Sequence, residues 1–280
     1  MTVAIAPVTY ERHAAFAVAN GEGEGAFVLV CDHASYFIPD EYAGLGLGET
    51  DRLRHIGWDI GALGLSRALS ARLDAPLIHA TLSRLLYDVN RAPDAHDAIV
   101  AVSENVAIPG NRDLDDAERE RRRRWIYEPY HAAIEAIVAG RLAHNRPTAV
   151  VAVHSFTPVY HGVARPWRIG VLSHRDRRMA DALLAALRAE VDASGADIGD
   201  DALGLDMIGD NQPYAPADGV YHTLERHAEA HGLPCAMLEI RNDLIQDGPG
   251  QDAWADRLAP LLQRALASAH ASHGASPPQP

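Results

Sequence analysis

The stretch AFVLVCDHAS, residues 26–35, runs six small or apolar residues straight into an aspartate and a histidine. An unbroken apolar run of this length, with no polar alternation, is the signature of a strand buried on both faces, as in a parallel sheet covered by helices. The same signature recurs at Pro76–Ala80, Ala149–Val153, Ile169–Leu172 and Cys235–Ile240. Between these runs the apolar residues adopt a helical period: Leu65, Leu69 and Leu73; Ile126, Tyr130, Ile134 and Ile137; Met179, Leu183 and Leu187; Trp254, Leu258, Leu261 and Ala265. Strands alternating with helices predict an α/β fold with a mixed, largely parallel sheet and helices on both faces. Ligands of such folds gather at the carboxyl ends of the strands, where Asp32 and His33 stand.

No internal repeat or linker divides the chain of 280 residues, and a length in this range is compatible with one large α/β domain. Residues 1–270 are expected to form a single catalytic domain. The small, polar, proline-rich end, residues 271–280, reads as a disordered tail. Residues 94–117 and 195–222 are polar and rich in turn formers, long enough for functional loops. The composition, 48% hydrophobic and 22% charged, is that of an ordinary globular protein. A formal charge of −13 argues against a nucleic-acid partner, and the run Arg121 to Arg124 follows enough acids to read as a solvated helix face of mixed charge. No apolar run reaches the ~18 residues of a membrane span, and the first residues lack the pattern of a secretory signal. Cys31 and Cys235 belong to no disulfide framework. A soluble, cytoplasmic protein acting on a small molecule is expected, with its oligomeric state open.

The polar residues that interrupt the strands carry the chemistry. His33 ends the first run and His154 ends AVVAVHSF, so two of the 15 histidines stand at two strand ends. Imidazole is a common zinc ligand, and catalytic zinc usually takes three protein ligands. Glu239 lies inside the apolar run CAMLEIRNDL, where an ionised carboxylate is costly unless compensated. Either a buried ion pair with Arg241, two residues on and on the same face, or a catalytic role would explain it.

Taken in order, CDHASYFIPDEYAGLGL, HIGWDIGA, SRLLYDVNR, HSFTP, RPWRIGVLSH, GDNQPY and GLPCAMLEIRNDLI resemble segments of the N-formylglutamate amidohydrolase family, from about residue 26 to about 250. That family is in turn distantly similar to zinc carboxypeptidases and their phosphorylase/hydrolase-like fold. The resemblance implies that His33 and His154 bind zinc or another divalent metal and that Glu239 acts as base. The carboxypeptidase acidic ligand three residues after the first histidine is replaced here by Tyr36. Asp59, opening DIGALGLSRAL, is the candidate third ligand, with N-capping as its alternative role and His55 as the alternative ligand. By the same resemblance Asn90 and Arg91 clamp the substrate carboxylate and Arg84 polarises the scissile carbonyl, unless Arg84 forms a surface salt bridge. The resemblance likewise implies that Asn211 and Tyr214, in GDNQPYAP, belong to a substrate-covering loop, with simple turn formation by Asn-Gln-Pro as the alternative. His222 and His227 read as surface residues.

The expected activity is metal-dependent hydrolysis of the amide bond of a small N-acyl amino acid, N-formylglutamate or similar, to a carboxylate and a free amino acid. A metallo-carboxypeptidase or desuccinylase-like hydrolase, or a binding module of the same fold without turnover, are the alternatives.

Overall fold

The computed structural model describes residues 13–194 and 203–274. Seven strands form the central sheet: β1 (Phe16–Ala19), β2 (Phe27–Cys31), β3 (Leu77–Ala80), β4 (Ala149–Phe156), β5 (Ile169–Leu172), β6 (Ile208–Asp210) and β7 (Cys235–Arg241). Their order is β1-β3-β2-β4-β7-β5-β6. The four central strands β3, β2, β4 and β7 are mutually parallel, while β1 is antiparallel to β3 and β5 to β7. The expected mixed, largely parallel sheet is therefore present, and all five apolar runs are strands within it.

Alternation along these strands feeds two cores. Leu29, Val151 and Leu238 face one, closed by α1 (Ala62–Leu73), α4 (Arg178–Ser194) and α6 (Gly248–Gly274). Val30, Ala152 and Met237 face the other. There the chain from Asp116 runs as α2 (Asp116–Arg122) through a π-helical turn into α3 (Glu128–Ala143), with the short α5 (His222–His227) beside it. Burying each such Leu, Ile or Val side chain stabilises the fold by roughly 1.5–3 kcal/mol. The last helix reaches Gly274, four residues into the expected tail; residues 275–280 lie outside the described residues. No helix among the described residues is long and apolar enough to cross a membrane.

Two expectations about charged surface need correction. Arg121 pairs with Glu118, and Arg123 and Arg124 pair with Glu120, as a solvated face requires. Arg122, however, is only 2% exposed and donates to the Leu86 carbonyl and Asn111 Oδ1, so it is part of the core beneath that face. His227 is fully buried, stacked on His131 and hydrogen-bonded to it, not a surface residue. His222 is half-buried against Tyr127. The expected loop 94–117 holds a small hairpin, Val102–Ser103 with Val106–Ala107, and part of 195–222 lies outside the described residues.

Candidate active site

Register brings the chemistry together before any side chain is considered. In the parallel pair β4–β7, His154 stands opposite Glu239, and both point to the face shared by Ala152 and Met237. On the other side of β4, β2 ends at Cys31, so that Asp32 and His33 emerge beside His154; the two imidazole rings are 5.0 Å apart, edge to face. The chain returns to this point at Asp59, whose backbone N–H donates to the His33 carbonyl at 2.9 Å.

Asp59 Oδ2 lies 2.8 Å from His154 Nδ1 and 3.3 Å from His33 Nδ1, and it accepts from the Ser155 backbone N–H. The N-cap of α1 is Gly61, so Asp59 is not the cap of that helix. One ligand atom from each of His33, Asp59 and His154 lies within 4.8 Å of the others, the spacing of a metal-holding group. His55 lines the same cavity but faces Glu104 at 3.6 Å and stands outside this group. Tyr36, where carboxypeptidases carry an acid, is 46% exposed and packs edge to face on Trp58.

The far nitrogens of both histidines are held as well. His33 Nε2 is 2.7 Å from Asp88 Oδ1, and His154 Nε2 is 2.9 Å from Asp32 Oδ2. Carboxylates only accept, so each Nε2 carries its hydrogen; without a metal the His154 ring also carries one on Nδ1 and donates it to Asp59, and a bound ion would take the place of that proton. Two ring nitrogens and a carboxylate converging on one point repel unless positive charge lies between them, which protons or a divalent ion can supply. Carboxylate–histidine–metal arrangements have this form. Burial opposes charge on His154, yet its bonds to Asp32 and Asp59 hold it well above the ordinary histidine range. Burial would raise Asp59, but His33 and His154 outweigh it and hold the carboxyl well below its usual range. Both observations describe a cluster that keeps positive charge between its side chains, and its residue types fit a divalent ion.

Asp32 and Asp88 were not singled out from the sequence. Asp32 also accepts from Tyr130 Oη and Thr223 Oγ1, and Asp88 from Arg84 Nη2 at 2.6 Å and the Asn90 backbone N–H. A buried aspartate directly before the strand-end histidine was the available signal for Asp32; for Asp88 no local pattern pointed to His33.

Glu239 is 4% exposed, and its Oε2 has no hydrogen-bond partner. Burial raises its carboxyl to about 7, against the pull of His154. No ion pair joins it to Arg241, whose Nε donates to Asp243 Oδ1 at 2.8 Å. The orphaned carboxylate faces a cavity of about 270 Å³ also lined by His33, Asp59, Arg84, Asn90, Arg91, His154 and Tyr214. Arg84 is not a surface salt bridge: its guanidinium spans Asp88 and Asp59 at the cavity wall. Arg91 is tied through Nε to Asp97 and through Nη1 to the Gly219 carbonyl. Asn90 spends its side-chain amide on the Val220 carbonyl and the Thr223 N–H, which makes it an organiser of the wall more than a free donor. Asn211, with φ of 50°, accepts from the Ser173 N–H and does not line the cavity. Its turn carries Tyr214 back over the site. Gly170 permits this crossing, since a Cβ there would run into the Gln212 carbonyl.

Such a site is equipped to activate water against a polar bond, and comparison with known proteins gives its class. The profile of the N-formylglutamate amidohydrolase family matches residues 25–246. The chain belongs to that family. It is similar to a crystal structure of a gene product of Agrobacterium tumefaciens, with 43% identity, 92% of this chain and 97% of that one covered, and a TM-score of 0.84. An N-formylglutamate amidohydrolase from Ralstonia eutropha shares the fold at 20% identity and a TM-score of 0.67, covering 93% of this chain and 100% of that one. No curated protein matches the chain.

Proposed function

We propose that the protein is a metal-dependent amidohydrolase that cleaves a small N-acyl amino acid, N-formylglutamate or a close analogue, into a carboxylate and a free amino acid. One observation carries this reading. Glu239 leaves a buried oxygen unpartnered beside His33, Asp59 and His154, in a chain of the amidohydrolase family. A zinc or other divalent ion held by those three residues would supply Lewis-acid polarisation of the substrate carbonyl and acidify the attacking water.

The protein's own side chains account for the rest. Glu239, ionised at neutral pH or above, accepts a proton from the water and delivers it to the departing amine, as a general base and then a general acid. Arg84, held by Asp59 and Asp88 at the cavity wall, offers positive charge to the oxygen of the tetrahedral intermediate. Arg91 has Nη2 left for the α-carboxylate, with Asn90 fixing the backbone from which it projects. Asp32 and Asp88 lock the ring orientation of His154 and His33. A carboxypeptidase-like or desuccinylase-like activity is the rival reading of the same site. Release of free amino acid from N-formyl, N-acetyl and N-succinyl substrates, before and after chelation and metal restoration, tests this. Equal activity in demonstrably metal-free protein would overturn the metal-dependent reading.

A further inference from the structure

Arg84 and Arg91 line the cavity and pair with carboxylates, at 2.6 Å to Asp88 and 2.8 Å to Asp97, and Arg54 pairs with the lining Glu104 at 2.6 Å. Arg165 differs. Among the described residues no carboxylate pairs with it, although it is half-buried. Its guanidinium carbon sits 4.4 Å from the Tyr160 ring centre, 4.7 Å from that of Tyr214 and 5.9 Å from that of Phe156. All three rings line the cavity. Aromatic faces attract the cation and fix its plane, but they supply no counter-charge.

Arg165 Nη1 also donates to Tyr214 Oη at 3.0 Å. That bond uses an acceptor lone pair of the phenol and leaves its O–H as a donor, with no protein acceptor assigned to it. Tyr214 lines the cavity with Glu239 and Arg84, so the donor belongs to the reacting chamber. A positive charge without an anion, stacked against the lining rings and bonded to a phenol whose O–H remains free at the cavity wall, is complementary to a carboxylate. In the reading proposed above, the α-carboxylate falls to Arg91, which lines the same cavity.

We propose that Arg165 and Tyr214 act as one unit that binds a second carboxylate of the substrate, on the amino-acid side chain, and so select dianionic N-acyl amino acids. Tyr214 touches the carboxylate; Arg165 supplies charge and holds the phenol in place. The subsite rests on the amidohydrolase reading above.

The test compares N-formylglutamate with N-formylglutamine, which differ only in that carboxylate. The unmodified protein should favour the acid in kcat/KM on the order of 10²-fold, expressed through KM, as for a desolvated charge contact. Arg165→Gln should bring that ratio close to one, with kcat on the amide little changed, and Arg165→Lys should keep part of the preference. Tyr214→Phe should also lower it, and in that background Arg165→Gln should add little, since coupled residues are not additive. Full preference in Arg165→Gln, equal losses on both substrates, or additive effects of the two substitutions would overturn the proposal. Calorimetric binding of both compounds to metal-loaded Glu239→Gln protein gives a second readout. Preferential binding of the acid without any hydrolysis by the unmodified protein would sink the amidohydrolase reading and leave the subsite standing; hydrolysis of both compounds at equal efficiency would do the reverse.

Discussion

Replacing Glu239 by Gln separates a buried base from a buried ion pair, because the two roles give stability changes of opposite sign. A base held without a partner destabilises the folded protein whenever it is ionised. Burial raises this carboxyl from 4.5 to about 7. At about 1.4 kcal/mol for each tenfold change in proton affinity, that corresponds to roughly 3 kcal/mol. The acid binds its proton more tightly when folded, so the penalty is absent below the unfolded value of 4.5, grows as pH rises, and is complete above about 7. Gln carries no such charge at any pH. The stability of Glu239→Gln relative to the unmodified protein should therefore climb by roughly 3 kcal/mol between those limits in metal-stripped protein, whatever fixed cost the new amide brings. Urea unfolding of both proteins at several pH values measures it. Turnover of the metal-loaded variant should meanwhile fall on the order of 10²-fold or more, with metal content unchanged. A stability difference that is flat with pH, or a variant weakened by several kcal/mol above pH 7, would show that Glu239 is compensated after all. A metal-loaded variant with near-normal turnover would remove it from the mechanism.

Chelation should abolish hydrolysis, and one divalent ion per chain, counted by elemental analysis, should restore it, as for a mononuclear site. Asp32→Asn, which takes the accepting carboxylate from His154 Nε2, should weaken metal affinity by about 10–100-fold while leaving the fold intact, read by competition with a chelating dye. The acid limb of kcat/KM should fall between 4.5 and about 7, where burial raises Glu239 and the positive charge of the cluster draws it down, and that limb should vanish from the residual activity of Glu239→Gln. Arg91→Ala should raise KM for free α-acids more than for their α-amides; equal changes on the two would assign that contact elsewhere.

The fold was legible because its signal is local. Each apolar run reports burial on both faces of its own strand, although the strand that begins at Ala149 carries on through His154 to Phe156 instead of ending at the histidine. Of the candidate metal-holding group, His33 and His154 were legible in residue type and in their nearness to the carboxyl ends of strands. Asp59 could not be placed from its surroundings in sequence, since an aspartate just before a helix reads equally well as a cap; only the return of the chain to the His33 carbonyl brings it beside the two histidines. Asn90 and Arg91 show the opposite difficulty. Their types suit a carboxylate clamp, yet Asn90 spends its amide on α5 and its entering loop, partners more than a hundred residues away that no local pattern reveals. Arg241 sits at the spacing of an ion pair with Glu239, but the turn after β7 offers it Asp243 instead.

Gly170 separates two parts of the molecule that can change at different rates. The metal-binding group and Glu239 sit on β2, β4, β7 and the loop before α1, whereas Tyr214 arrives on a segment that merely lies across β5 where Gly170 leaves room. A segment laid over the sheet can be lengthened, shortened or refaced without altering the register that sets Glu239 opposite His154. Variation between relatives in which acids they process should therefore concentrate in residues 205–220 and in the small hairpin, Val159–Tyr160 with Val163–Ala164, that leads into Arg165. The glycine position itself, and the strands beneath it, should tolerate almost no change, so that new substrate preferences can arise on an unaltered hydrolytic floor.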